Sequence, residues 1–168
     1  MNKHENEIVI FQDPQSNEAI KVPDMIPILP VRNMVLFPFS VLPLTVGRES
    51  STKLIEDVSS ADNRYLGVIA QRDPSVDEPQ EIDLFSIGTL AVVSKQVRVK
   101  DNNLVAIVQG LKRFRIREYV QTHPFFKARL EPLDDIVSVQ NESKAEAMRR
   151  SIEPLFQQLV TLSPRLSS

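Results

Sequence analysis

The chain has 168 residues, of which 42% are hydrophobic and 25% charged, the balance of a soluble protein with one core and an appendage. Its formal net charge of −2 excludes a global attraction to nucleic acid or to anionic membranes. No stretch approaches the ~20 apolar residues that span a bilayer, and the apolar run at 8–11 is too short for a signal-peptide core. The absence of cysteine excludes disulfides and thiolate metal sites, so we expect a cytoplasmic protein.

The distribution of apolar residues divides the chain into three parts. Residues 1–24 are polar and contain two prolines, and they predict a flexible or loosely attached tail to which 7–11 could add one strand. A β-rich domain is expected over 25–137. The segment 141–168 is expected to be the start of a helical subdomain that is truncated within this chain.

The β-rich part opens with two strands and a helix. Residues 25–33 are apolar but contain two prolines, which cannot donate to a β-ladder, so this strand is expected to be interrupted or to lie at a sheet edge. A strongly apolar connection, 34–39, leads to a second strand over 41–46. A helix is predicted over 48–61, because one of its faces would collect Leu54, Ile55, Val58 and Ala61.

The middle of the chain alternates between strands and polar loops. Residues 65–70 form a compact candidate for a buried strand, whereas 71–83 are too acidic and too rich in proline for a regular element. A long strand is predicted over 84–99. The polar residues 101–103 indicate a turn, and 104–108 return along that strand as a hairpin.

With the remaining β segments, the predicted fold class is α+β and mainly β. Gly110 interrupts the pattern, and alternation resumes over 111–120. Pro124 marks a further break before a last strand over 125–133. Many short strands with one early helix favour a small, partly closed barrel over parallel βαβ units.

The last segment predicts a helix over 141–162. Its apolar stripe stays in phase across Pro154, which favours one kinked helix over two separate ones. The chain then ends without a finishing element, as it would inside a helical linker. The stripe needs a packing partner, and its members are Ala145, Met148, Ile152, Leu155, Phe156 and Leu159.

Chemistry-bearing motifs do not stand out. The two histidines lie far apart, His4 in the tail and His123 before Pro124, so they do not form a two-histidine metal site at helical spacing. No glycine-rich phosphate loop and no Gly-x-Ser-x-Gly turn occurs. We therefore assign no catalytic residue, no metal ligand and no cofactor to this chain.

A basic run along one predicted strand has two interpretations. Arg113, Arg115 and Arg117 interleave with Phe114 and Ile116. Cations beside an aromatic ring could bind a nucleic-acid backbone and stacked bases. Simple alternation, with the apolar side chains inward and the arginines outward, explains the same pattern.

Five blocks of the sequence resemble the amino-terminal domain of Lon-type ATP-dependent serine proteases. Each matching block is weak alone, but the blocks occur in the family's order and at suitable spacing. They are 26–39 (IPILPVRNMVLFPF), 44–50 (LTVGRES), 65–71 (YLGVIAQ), 84–91 (LFSIGTLA) and 108–115 (VQGLKRFR). The resemblance covers about 26–162.

The resemblance implies a fold and a role. The family domain is a PUA-like, six-stranded pseudo-barrel with one early helix, followed by a helical subdomain. In the whole protease an ATPase module that uses ATP and Mg and a Ser–Lys peptidase module follow, and six chains form a ring that degrades misfolded and regulatory proteins. The implied partners are unfolded substrates and those modules, with no membrane, and nucleic acid is not favoured.

A domain that selects unfolded proteins needs an exposed apolar surface. The first candidates lie in the apolar connection, where burial is hardest: Met34, Val35, Leu36, Phe37 and Phe39. The second candidates are Phe125 and Phe126. The alternative is that these side chains plug the ends of the barrel. A stand-alone adaptor or ligand-binding protein of the same fold remains the alternative function.

Overall fold

The computed structural model describes residues 8–12, 19–99, 104–134 and 142–162, in two compact units, Met1–Asp134 and Asp135–Ser168. Among its described residues, the first unit contains eight strands and one α-helix. They are β1 (Ile8–Gln12), β2 (Ala19–Pro23), β3 (Met25–Val31), β4 (Val41–Val46), α1 (Glu49–Ser60), β5 (Tyr65–Ala70), β6 (Ile87–Arg98), β7 (Leu104–Gln121) and β8 (Phe126–Pro132). The second unit contains α2 (Glu142–Leu162). The turn predicted at 101–103 lies outside the described residues.

Six strands form a sheet in the order β4-β7-β6-β5-β3-β8, and an additional pairing of β7 with β8 closes five of them into a ring. The long strand β7 makes this possible, because its first half pairs with β4 and its second half with β8. Among the strand pairs that the structure describes, only β3–β5 is parallel. The predicted six-stranded pseudo-barrel with one early helix is confirmed.

Alternating side chains build the barrel interior from two apolar clusters. The first gathers around α1, whose Leu54, Ile55 and Val58 are buried as predicted. Ala61, which the helical pattern also placed on this face, is exposed because the helix ends at Ser60. The second cluster surrounds Phe114 of β7, which solvent does not reach.

Residues within the predicted tail form an antiparallel hairpin, β1 with β2. This differs from the expectation of a loosely attached segment. Phe11 and Val22 face the barrel with 1% and 0% of their surface exposed, and both belong to the second core cluster. Val9, Phe11, Ile20 and Val22 form the inward faces of the two strands, whereas Ile8 and Ile10 are exposed on the outward face of β1.

The strand predicted to break at Gly110 continues as β7. A register shift lies opposite Leu90 and Ala91, where Lys112 and Gly110 pair and Leu111 is left as an extra residue. Such a β-bulge bends a strand without ending it. The acidic loop also contains one short element that was not expected, a 3₁₀ turn at Glu81–Asp83.

In the second unit, α2 is one helix that continues through Pro154, as the in-phase stripe predicted. Glu146 forms ion pairs with Arg149 and Arg150 one turn later, both at 3.0 Å. The apolar stripe of this helix is exposed at Met148, Ile152, Leu155, Phe156 and Leu159.

The tight crossing of β5, β6 and β7 gives a first prediction. A Cβ at Gly88 would lie 2.6 Å from the carbonyl oxygen of Val68 and 2.9 Å from the ring of Phe114. Gly88→Ala should therefore overpack the core and lower the free energy of unfolding by about 1–3 kcal/mol in urea titration. Ser94→Ala, at an exposed position of the same strand, should change it by less than about 0.5 kcal/mol. Equal effects of the two variants would contradict this reading of the core.

Candidate functional site

The loop that connects β3 to β4, together with the first residue of β4, carries a cluster of exposed apolar residues. Those residues, with the fraction that solvent reaches, are Val35 (55%), Phe37 (63%), Phe39 (50%) and Val41 (57%). We call them the apolar platform. Between them Leu36 is buried in the first core cluster, and Met34 packs partly against it. The same short segment therefore supplies an anchor in the barrel and an apolar surface in solvent.

Hydrogen bonds fix the backbone of this loop to the barrel. The hydroxyl of Thr89 in β6 donates to the carbonyl oxygen of Leu36 at 2.6 Å, in a buried position. In β7, the carbonyl oxygen of Gly110 accepts from the Phe39 N–H at 2.8 Å, and the Gly110 N–H donates to the Ser40 carbonyl at 2.9 Å. The platform thus has a defined backbone rather than a freely moving one.

Two features of the loop require this support. Asn33 and Phe39 have φ of 53° and 65°, in the left-handed region that costs a residue other than glycine about 1–3 kcal/mol. The backbone also approaches β7 very closely, because a Cβ at Gly110 would lie 2.3 Å from the Phe37 carbonyl oxygen. Glycine at 110 is the residue that leaves room for the loop.

The second predicted pair of phenylalanines lies in a different environment. Phe125 is only 5% exposed and belongs to the first core cluster, and Phe126 is half-buried against Tyr119 at a ring distance of 5.5 Å. Both line a cleft of about 580 Å³ between the first turn of α1 and the residues 77–80 and 122–125. Burial, together with Glu81, raises the pKa of Tyr119 to about 12.

Two arginines hold the acidic loop against the barrel. Arg32 donates to the Asp77 carboxylate at 2.8 Å and to the Val76 carbonyl at 3.1 Å. Arg48 donates to the side-chain oxygen of Gln71 at 2.6 Å, and the side-chain NH₂ of Gln71 in turn donates to the Val76 carbonyl at 3.0 Å. Burial and the nearby Arg32 lower the pKa of Arg48, and Asp77 opposes the shift.

A second cleft, of about 400 Å³, separates the end of β3 from β4. Its β3 side is lined by Pro30, Val31 and Arg32, and its β4 side by 43–46. Met34, at the start of the platform loop, lies at its rim. This cleft is the place where the barrel stays open, and we call it the seam.

The basic strand follows the alternation interpretation. Arg113, Arg115 and Arg117 are exposed on β7, whereas Phe114 is fully buried. Glu131 of β8 is the cross-strand neighbour of Arg115, which places a negative charge beside the row. The arginines form an outward face of the barrel.

The described residues contain no group of three or more histidine, cysteine, aspartate or glutamate side chains that could hold a metal ion. Among the same parts of the chain, no helix is long and apolar enough to cross a membrane.

A partly closed barrel with an exposed apolar loop is the class of domain that the fold and the site define, and its exposed apolar surface is suited to contacts with other molecules. Comparison with protein families identifies the family. Residues 25–168 match the substrate-binding domain of ATP-dependent protease La (LON), and the chain belongs to this family. The resemblance seen in the sequence blocks is thereby confirmed.

Curated relatives carry the name Lon protease. The chain is 44% identical over 155 residues to the Lon protease of Koribacter versatilis and 36% identical over 155 residues to that of Dictyoglomus thermophilum. Each match covers 92% of this chain but only 19% of the relative, so the chain spans about a fifth of the length of these proteins.

Two solved structures share the fold. The N-terminal domain of Mycobacterium avium complex Lon protease superposes with a TM-score of 0.58 at 15% identity, covering 85% of this chain and 78% of that one. The Lon N-terminal domain protein from Xanthomonas campestris gives a TM-score of 0.52 at 20% identity, covering 76% and 73%.

Sequence reasoning found most of the platform but not what holds it. Val41 was assigned to a strand and its exposure was not expected. Gly110 was treated as an interruption between strands and Thr89 as an ordinary strand residue, because nothing in the local pattern indicates the bond from Thr89 to a loop residue 53 positions earlier. The glycine in the strand was the one available signal, since an interior strand glycine often marks a close backbone approach.

The bond between Thr89 and the loop gives a second prediction. Thr89→Val removes the hydroxyl but keeps the shape, so the buried Leu36 carbonyl loses its donor and the free energy of unfolding should fall by about 1–3 kcal/mol. Amide hydrogen exchange of 36–40 should accelerate as the loop loosens. Thr45→Val is the matched control, because Thr45 is exposed on β4. Unchanged exchange in the loop of Thr89→Val would refute the anchoring role.

Proposed function

We propose that this chain is the substrate-recognition domain of a ring-forming, ATP-dependent serine protease, and that its apolar platform contacts apolar segments of unfolded proteins. The observation that carries the proposal is the exposure of Val35, Phe37 and Phe39 on one ordered loop of a substrate-binding domain, and of Val41 at the start of the strand that follows. A folded protein hides its apolar side chains and a damaged one exposes them. An exposed apolar surface discriminates between the two without reading a sequence.

The energetics favour weak and tolerant binding. Burial of one large apolar side chain contributes about 1.5–3 kcal/mol, so contact with two or three platform residues gains several kcal/mol. Ordering a flexible substrate consumes much of this gain. The hydrogen bonds from Thr89 and Gly110 reduce the corresponding cost on the receptor side, because the loop is ordered before the substrate arrives.

The rest of the proposed protein lies outside this chain. ATP and Mg would be used by an ATPase module, and proteolysis by a peptidase module, neither of which the matched domain contains. We propose that the apolar stripe of α2 packs against further helices of the same full-length chain. Repetition of the platform around a hexameric ring would turn weak individual contacts into useful avidity. A cytoplasmic location is consistent with the absence of cysteine.

Binding to an unfolded protein tests the proposal. The double substitution Phe37→Ser with Phe39→Ser should weaken binding to a reduced and alkylated, permanently unfolded protein by about tenfold or more, since two phenyl groups no longer leave water. Fluorescence anisotropy of the labelled unfolded protein measures the affinity. The folded form of the same protein should bind poorly to both versions of the domain.

The control is a double substitution at exposed apolar residues elsewhere on the barrel, Ile82→Ser with Phe85→Ser. These changes remove comparable apolar surface but leave the platform intact, so affinity should stay within about twofold. Equal losses in both double variants would show that the platform has no special role.

A further inference from the structure

The strand next to the platform has an unpaired edge. Within the described residues β4 is the terminal strand of the sheet order, paired on one side with β7. Such an edge is a common docking site for extended peptides, which add as a further strand through backbone hydrogen bonds. Because the platform includes Val41, the first residue of β4, a substrate on the platform also lies beside this edge.

The hydrogen-bond direction along β4 shows what the edge can offer. The Ser40 carbonyl accepts from the Gly110 N–H of β7, so alternation directs the backbone groups of Leu42, Leu44 and Val46 toward β7. The groups of Val41, Pro43 and Thr45 therefore face away from β7. Proline has no N–H, which leaves Val41 and Thr45 as the edge donors, about 13 Å apart. A continuous ladder along this edge lacks its central donor.

The β3 side of the seam also lacks a backbone N–H donor. In β3, the Val31 carbonyl accepts from Gln71 beside β5, while the Asp24 carbonyl accepts from Leu130 of β8. Alternation therefore directs Pro30 away from β5, toward the seam, where β8 has ended. A second proline thus removes the donor on the β3 side. Both strand edges at the seam are unsuited to strand addition.

The side chains beside this edge, unlike its backbone, are well suited to contact a partner. Val41 and Pro43 are exposed on the outer face of β4, next to the exposed phenylalanines of the loop. This surface offers apolar contact in abundance, whereas its two backbone donors, at Val41 and Thr45, are separated by Pro43. A partner that gains its free energy from apolar side chains fits it, and a partner that depends on a β-ladder does not.

We propose that Pro43 and Pro30 make recognition at this site depend on substrate side chains alone, so that the domain accepts apolar segments whatever their backbone conformation. The proposal rests on the platform being the substrate-binding surface and adds how a segment is held there: through its side chains, with its backbone groups still bonded to water. The same prolines protect the edge against pairing with a second copy of this chain.

Peptides with altered backbones test this. A labelled peptide of about twelve residues, rich in leucine and phenylalanine, is compared with a form N-methylated at alternate residues and with a form whose phenylalanines are serine. The N-methylated peptide cannot donate along one edge, yet it should bind within about twofold of the parent, while the serine form should lose about tenfold or more. A loss of tenfold or more on N-methylation would overturn the proposal.

The variant Pro43→Val provides the second measurement. It restores an N–H at the centre of the edge with a residue that favours strands. This variant should bind the parent peptide at least about threefold more tightly than the N-methylated one, and it should self-associate more in sedimentation experiments than the natural chain. If the variant bound both peptides with equal affinity, Pro43 would not have the proposed role.

The substrate-binding role of the platform and the role of the two prolines can fail separately. If the parent peptide binds and the substitutions at Phe37 and Phe39 do not weaken it, the platform is not the site and the proposed function is wrong in that respect. If those substitutions weaken binding but N-methylation does so equally, the platform stands and recognition through side chains alone is rejected.

Discussion

The apolar platform depends on a backbone contact that requires glycine. Because Gly110 has no side chain, the carbonyl of Phe37 can lie where a Cβ would be only 2.3 Å away, and both peptide groups of the glycine bond to the loop. That contact, with the Thr89 hydroxyl beneath it, holds Phe39 in a left-handed conformation that it would not otherwise favour. The exposed aromatic side chains are thus supported by buried polar contacts, which explains how an apolar loop can be ordered in water.

The same stretch of β7 also explains why the barrel stays open. β4 and β8 share one edge of this strand, and the bulge at Leu111 lies between their pairing regions. β3 pairs with β8 only as far as Ile28. Beyond that point Pro30 cannot donate, so β3 and β4 face each other across the seam without a ladder. The open seam and the platform loop therefore have a common origin at one end of the barrel.

Local pattern and long-range contact differ in how far the sequence reveals them. The spacing of Leu54, Ile55 and Val58 was sufficient to predict α1 and its buried face, because helical periodicity is a property of neighbouring residues. The hairpin of β1 and β2 was missed, since Phe11 and Val22 acquire their burial from a barrel that forms elsewhere in the chain. The exposed phenylalanines were predicted as candidates from composition, but their support by Thr89 could not be, because that bond joins residues 53 positions apart.

Recognition without a β-ladder would affect the rate at which a bound substrate dissociates. A strand added to an edge gains several cooperative hydrogen bonds and excludes water from them, which slows dissociation. A substrate held by a few apolar side chains lacks that cooperativity, and each contact can exchange independently. A domain that must pass its substrate to another module benefits from rapid release, because differences in affinity between related complexes arise mostly from the dissociation rate. Pro43, by removing one N–H from an edge strand, would then favour capture that is broad, weak at each site and readily reversed.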